Sequence, residues 1–307
     1  MKNQYRKFVY LDENGRSFEF HAKKDVVLEA TEEPDGKLII RAIAISKQNY
    51  VNPPIPEGWK HISGEWNNGF IIRRDSDGSE MVWVPVESLD ADGTLDGVTF
   101  NEKFGRRFYN ETDILKESFS EKYEGKIILQ EESIKKYGGF YISRYEISMS
   151  INKSVHSLKN QMPMINVDFF EAMRLAKSFE DSDKVKSHLI FGAEYDSVLA
   201  WFIKSRARKI DEITVNSARW GNFADPENSL KGLAKTGSNE TWCTNGIYDF
   251  AGNLDEWTQE KKGETCRVTR SGNYNLIGYL YPASYRNYRD ARQGYQFTGF
   301  RIALYIK

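Results

Sequence analysis

The sequence predicts an α+β chain: a small β module over residues 1–50, a proline-rich linker over 51–58, and a larger domain over 59–307 with two amphipathic helices, short twisted strands and much irregular loop. Three observations predict it. In the first 86 residues, short apolar stretches flank strong turn signals. Two later segments place apolar residues at helical spacing. From Trp220 onward, long periodic elements give way to Gly, Asn, Asp and aromatic residues, the composition of ordered loop.

Each element follows in order. Phe8-Val9-Tyr10 and Phe18-Glu19-Phe20 flank Asp12-Glu13-Asn14-Gly15, whose Asn-Gly pair suits a hairpin turn. Val26-Val27-Leu28 and Leu38-Ile39-Ile40 flank Glu33-Pro34-Asp35-Gly36, a second turn. A module this small is marginal alone and is assigned attachment or homo-oligomeric assembly. Pro53, Pro54 and Pro56 mark a stiff linker. A third hairpin joins Gly69–Arg73 to Met81–Val86 across Asp75-Ser76-Asp77-Gly78.

Residues 87–137 read as a polar insertion with one helix near Asp113–Lys122. Its Asp90-Ala91-Asp92-Gly93 is a turn, because a calcium loop starting there would need Glu where Asn101 stands. Phe140–Ile147 is a strand. Asp168 caps a helix through Phe169, Ala172, Met173 and Ala176, with Glu171 completing a capping box. The second helix runs from about Ala193 to Ala207, buried along one face. Gly299–Ile306 is an apolar closing strand.

Composition bounds the function. A chain of 307 residues, 40% hydrophobic and 28% charged, can bury a sizeable core and excludes disorder as its dominant state. Forty-three basic against 44 acidic residues argue against a charge-driven nucleic-acid surface. No run approaches the ~18 apolar residues of a membrane span, and the N-terminus shows no signal-peptide pattern, so a soluble chain without membrane insertion is expected. Cys243 and Cys266 cannot build a disulfide framework.

The sequence lacks a phosphate loop, a GxGxxG turn and a Gly-x-Ser-x-Gly elbow. His21, His61, His156 and His188 show no zinc-ligand spacing. The informative stretch is Asn245–Thr258. Asp249 and Glu256, with the carbonyls of Gly252 and Leu254, could wrap a calcium ion; the same loop could instead satisfy its own backbone through Asx turns. From Tyr274 to Phe300 there are eight aromatics in 27 residues, interleaved with Asn and Arg. Flat anchors among adaptable polar groups are the composition of a binding surface. Tyr274, Phe297 and Phe300 are expected in the core, and Tyr279, Tyr281, Tyr285 and Tyr288 on the surface.

Seven ordered blocks carry a resemblance: Met81–Pro85, Gly139–Ile147, Pro163–Val167, Arg219–Asn222, Gly246–Trp257, Arg267–Asn273 and Gly299–Ala303. In this order they resemble the formylglycine-generating enzyme / sulfatase-modifying factor domain. The resemblance implies a C-type-lectin-like fold and a structural calcium site at Asp249, Gly252, Leu254 and Glu256. The catalytic enzymes of that family oxidise through a copper-binding cysteine pair, and here Leu276 and Ser284 stand at those positions. Neither is a soft-metal thiolate, so no catalytic residue, copper or iron is expected.

The segment Arg270–Arg301 also resembles the variable region of retroelement-diversified proteins, which use this fold for ligand display. By that likeness the contact positions are Asn275, Leu276, Ile277, Tyr279, Leu280, Tyr281, Tyr285, Tyr288 and Asp290. The framework positions are Gly272, Pro282, Ala283, Arg286 and Arg301. A non-catalytic protein that binds a protein or glycan, in the cytoplasm or on a phage particle, is the leading expectation. The alternatives are a divergent metal-dependent oxidoreductase using His156, His188 or the cysteines, and a purely structural component of an assembly.

Overall fold

The computed structural model describes residues 5–11, 17–23, 26–32, 38–44, 52–86, 94–95, 98–99, 119–120, 126–225, 230 and 232–307. The chain divides into two compact units, Met1–Val51 and Asn52–Lys307. In the first, β1 (Tyr5–Leu11) pairs antiparallel with β2 (Ser17–Lys23), and β3 (Val26–Glu32) pairs likewise with β4 (Leu38–Ala44). These are the two hairpins read from the sequence. Their turns lie outside the described residues.

The proline segment belongs to the second unit. Pro53 and Pro56 are buried, and the Pro54 carbonyl accepts a hydrogen bond from the Tyr141 hydroxyl at 3.0 Å.

The second unit is mostly sheet, with β5 (Trp59–Ser63), β6 (Ile71–Arg74), β7 (Glu80–Pro85), β8 (Thr94–Leu95), β9 (Val98–Thr99), β10 (Phe119–Ser120) and β11 (Gly139–Ser143) leading the order. Then follow β12 (Ser148–Met149), β13 (Val155–His156), β14 (Val185–Leu189), β15 (Cys243–Thr244), β16 (Ile247–Tyr248), β17 (Asp255–Lys262), β18 (Cys266–Arg270), β19 (Asn287–Asp290), β20 (Thr298–Phe300) and β21 (Ile302–Ile306). The helices are α1 (Lys126–Tyr137), α2 (Phe169–Phe179), α3 (Gly192–Lys204) and α4 (Ile210–Thr214).

A six-stranded antiparallel sheet runs β14-β21-β11-β7-β6-β5. Its central strands β7, β11 and β21 are rich in apolar residues because both faces are covered. Val82, Val84, Phe140, Ile142 and Ala303 share one core with Ala193, Tyr195 and Val198 of α3. Met81, Trp83, Tyr141, Ile302 and Leu304 alternate with them and share the other core with Phe169, Ala172 and Leu175 of α2. A second sheet runs β10-β17-β18-β19, with β20 parallel to β17.

Both expected helices form. The Asp168 carboxylate accepts from the Glu171 backbone N–H at 2.8 Å, the capping bond the sequence implied. The second helix, α3, is buried on nearly every side, not along one face, because Asp196 and Ser197 are enclosed as fully as Val198 and Leu199.

Two expectations change. Phe119–Ser120, inside the helix expected near Asp113–Lys122, is a strand whose partners are Lys262 and Lys261. The remainder of that span, and Asp90–Gly93, lie outside the described residues. The closing strand is two strands in different sheets, β20 and β21, broken at Arg301. The break exists because Arg301 turns its guanidinium into the interior, where it is fully buried.

Candidate ligand-binding face

The segment 271–286 leaves the end of β18, loops across the surface and returns to β19. Its two ends are clamped by one buried ring of charge. Arg270 donates to Asp196 at 2.7 Å and to Glu260 at 3.0 Å; Arg286 donates to Glu260 at 2.8 Å and also to Asp196. All four side chains are at most 1% exposed. Asp196 comes from α3 and Glu260 from β17, so the loop is bolted to a helix and a sheet at once. The paired carboxylates hold the Arg286 guanidinium charged against the cost of burial. Arg270 also donates to the Ser284 carbonyl at 3.3 Å.

Between the clamps the backbone is pinned repeatedly. Tyr274 N–H reaches the Asn253 carbonyl at 3.0 Å, and the Leu276 carbonyl accepts from Ala224 at 2.8 Å. The Gly278 carbonyl accepts from Ser217 at 3.1 Å, while its N–H donates to the Asp225 carboxylate at 2.8 Å. Gly278 is required there, since a Cβ would stand 2.5 Å from the Ala218 nitrogen. Ser284 N–H reaches the Ile213 carbonyl at 3.2 Å.

This fixed backbone leaves side chains in solvent. Ile277, Tyr279 and Leu280 are 46%, 59% and 54% exposed, and Asn275 is exposed beside them. Leu276, Tyr281 and Tyr285 are half-buried; the last two meet edge to face at 5.1 Å. Tyr288 is exposed but sits on β19, with the Lys262 ammonium 3.5 Å from its ring centroid. Asp290 is half-buried and accepts from Arg292 N–H at 2.9 Å, as a turn residue does. Phe300 is in the core, whereas Tyr274 and Phe297 are half-buried. Ser284 is fully buried and Leu276 offers only hydrocarbon. Cys243 and Cys266 are free thiols.

The oxygen-rich loop lies beneath. Asp249 and Asn253 have positive φ, at 56° and 58°, the left-handed conformation that short polar residues tolerate. Asp249 accepts from Gly237 N–H at 2.9 Å, and the Gly252 carbonyl accepts from the Ser271 hydroxyl at 3.3 Å. Glu256 takes the Arg301 guanidinium at 2.6 Å. A third carboxylate, Glu146, accepts from Leu254 N–H at 3.1 Å and from the Asn253 amide at 2.5 Å.

One cation in this chamber is Arg301, paired with Glu256. Among the described residues no group of three or more His, Cys, Asp or Glu side chains is set to hold a metal. In the expected calcium set, Asp249 and Glu256 each commit one oxygen, to the Gly237 N–H and the Arg301 guanidinium. Asp249 Oδ1 and Glu256 Oε2 are buried without a hydrogen-bond partner among the described residues and are acceptors of the kind a calcium ion would take. Glu146, the carboxylate that completes the chamber, has no local sequence signal linking it to a loop more than a hundred residues later.

Burial raises all three carboxyls: Glu146 well above the ordinary range, with the neighbouring Asp249 and Glu256 charges adding to the effect, Asp249 to about 6 and Glu256 to about 7. The folded chain thus holds protons that the unfolded chain has released. This contribution to stability is full below the unfolded pKa values of about 4 and is lost as pH rises toward 7. For Asp249 and Glu256 it is of the order of 3 kcal/mol each. Asp249→Asn keeps the oxygen facing Gly237 and removes one titration. In thermal melts at pH 5, 6 and 7, the variant is expected to show a flatter decline than the natural chain; parallel curves would refute the assignment.

No family model and no curated protein matches this chain. Among solved structures it is similar to CarF, at a TM-score of 0.40 and 14% identity over 55% of this chain and 87% of that one. It is similar to PvdO from Pseudomonas aeruginosa, at 0.43 and 15% over 80% and 100%. It is also similar to variable protein 1 of Treponema denticola, at 0.36 and 11% over 97% and 98%. Likenesses at this level place the chain in no family.

Proposed function

We propose that this chain is a ligand-binding or display protein without catalytic activity, and that its contact surface is the loop between Arg270 and Arg286. One observation carries the reading: a backbone fixed from below by buried charge holds Asn275, Ile277, Tyr279 and Leu280 in solvent. A rigid frame lowers the ordering cost of binding, and exposed apolar and aromatic side chains supply the contact. Glu146, Asp249 and Glu256, the carboxyls that burial raises in this chamber, are fully buried, out of reach of a substrate. The same division of labour suits a scaffold whose outer positions differ between copies, as in retroelement-diversified proteins. The ligand is a protein or a glycan.

The test is a quadruple variant, Asn275→Ala, Ile277→Ala, Tyr279→Ala and Leu280→Ala. Exposed side chains away from special features contribute within about 0.5 kcal/mol each. Its Tm is expected within about 5 °C of the natural chain. Capture of ligands selected on the natural chain from displayed peptide and glycan libraries is expected to disappear. A Tm drop beyond 10 °C, or undiminished capture, would refute the proposal.

A further inference from the structure

The contact surface does not stop at the loop. Three hydrogen bonds, two of them between backbones, join it to the end of α4 and the residues after it: Ser217 N–H to the Gly278 carbonyl at 3.1 Å, Ala283 N–H to the Ser217 hydroxyl at 2.9 Å, and Ser284 N–H to the Ile213 carbonyl at 3.2 Å. Val215 is 51% exposed, and Asn216 and Arg219 are exposed with it. Ile277 and Tyr279 flank Gly278, whose backbone lies against Ala218, the neighbour of Arg219.

Resting on the binding role proposed above, we propose that this face continues onto Val215, Asn216 and Arg219, and that its occupant is a short acidic protein segment with apolar anchor side chains. The chemistry of the face selects the class. Val215, Ile277 and Leu280 are branched hydrocarbons with neither a flat stacking surface nor hydrogen-bonding groups, so they suit Leu, Ile or aromatic anchors better than a sugar.

Charge selects the sign. Residues 204–219 carry five basic side chains against two acidic ones, on a chain whose net charge is −1. Arg208 is occupied by Thr244 and Glu212, but Arg206, Lys209 and Arg219 are exposed cations without an ion pair among the described residues. The loop 271–286 carries no acid of its own, and the carboxylate bonded to its backbone, Asp225, is held by the Gly278 N–H at 2.8 Å and leaves the basic side chains in excess. Size selects a short segment: the face offers seven side chains, against the roughly 20–30 residues per side of a stable protein interface.

The experiment selects displayed random 15-residue peptides on the immobilised full chain. It then compares the natural chain with Tyr279→Ala, Val215→Ser and Arg219→Glu, each checked for an unchanged Tm. Enriched peptides are expected to be net acidic with Leu, Ile, Phe or Trp anchors. Their affinity is expected to fall at least fivefold in Val215→Ser and in Arg219→Glu, and to weaken as salt rises, because exposed charges are screened. Neutral or basic peptides would overturn the proposal. So would binding that needs Tyr279 but ignores Val215 and Arg219, which leaves the loop reading standing. Tyr279-dependent glycan capture without peptide enrichment would replace the ligand class. Ligands indifferent to Tyr279, or no ligand of either class, would remove the loop reading itself.

Discussion

Arg301→Leu is expected to lower Tm by about 10 °C or more, and by less at pH 5 than at pH 8. The guanidinium donates to Glu256 at 2.6 Å, to the Ser143 carbonyl at 3.1 Å, to the Arg144 carbonyl at 3.4 Å and to the Tyr248 carbonyl. Removing it strands Glu146, Asp249 and Glu256 in a chamber where all three are fully buried. Breaking one side of a buried ion pair costs about 3–5 kcal/mol, and a domain of this size loses roughly 2–4 °C for each. Acid relieves the loss because protonation neutralises the abandoned carboxyls. Differential scanning calorimetry at the two pH values reads both effects. An equal loss at pH 5 and pH 8 would mean that Arg301 acts through packing and not through charge.

Arg286→Met is expected to cost a similar 3–5 kcal/mol, with a second consequence that Arg301→Leu does not share. It opens one of the two clamps on the 271–286 segment, leaving Asp196 and Glu260 to share Arg270 alone. Because the four side chains form one closed ring, substitutions within it do not add. In a double-mutant cycle with Asp196→Asn, the coupling measured by denaturant unfolding is expected to exceed about 1 kcal/mol. Additive losses would show that the pairs act separately.

Much of this architecture could be read from the chain. The hairpin over residues 69–86 and the two helices rest on local signals: an Asp-Gly turn, an Asp168 cap, apolar residues at fixed spacing. The exposed loop was also visible, because Ile277, Tyr279 and Leu280 lie among Gly, Asn and Pro, where no periodic element can bury them.

What escaped is non-local. Glu146 meets Asn253 and Leu254, and Asp196 meets Arg270 and Arg286, through folding alone. Helix α1 escaped because it buries polar Gln130 and Ser133 beside Ile134, which blurs its apolar stripe. Tyr288 and Asp290, which the likeness to variable regions groups with the loop, are carried by β19. Arg301 inside an apolar closing run is a local signal of the same kind: a lone cation there marks either a break in the strand or a buried partner, and here marks both.

The loop 271–286 takes its shape from the bonds beneath it and not from the residues it displays. Hydrogen exchange across residues 271–286, measured by mass spectrometry on the quadruple alanine variant, tests this directly. The Leu276, Gly278 and Ser284 amides are expected to keep the same protection as in the natural chain. Loss of that protection, with the rest of the domain unchanged, would contradict it.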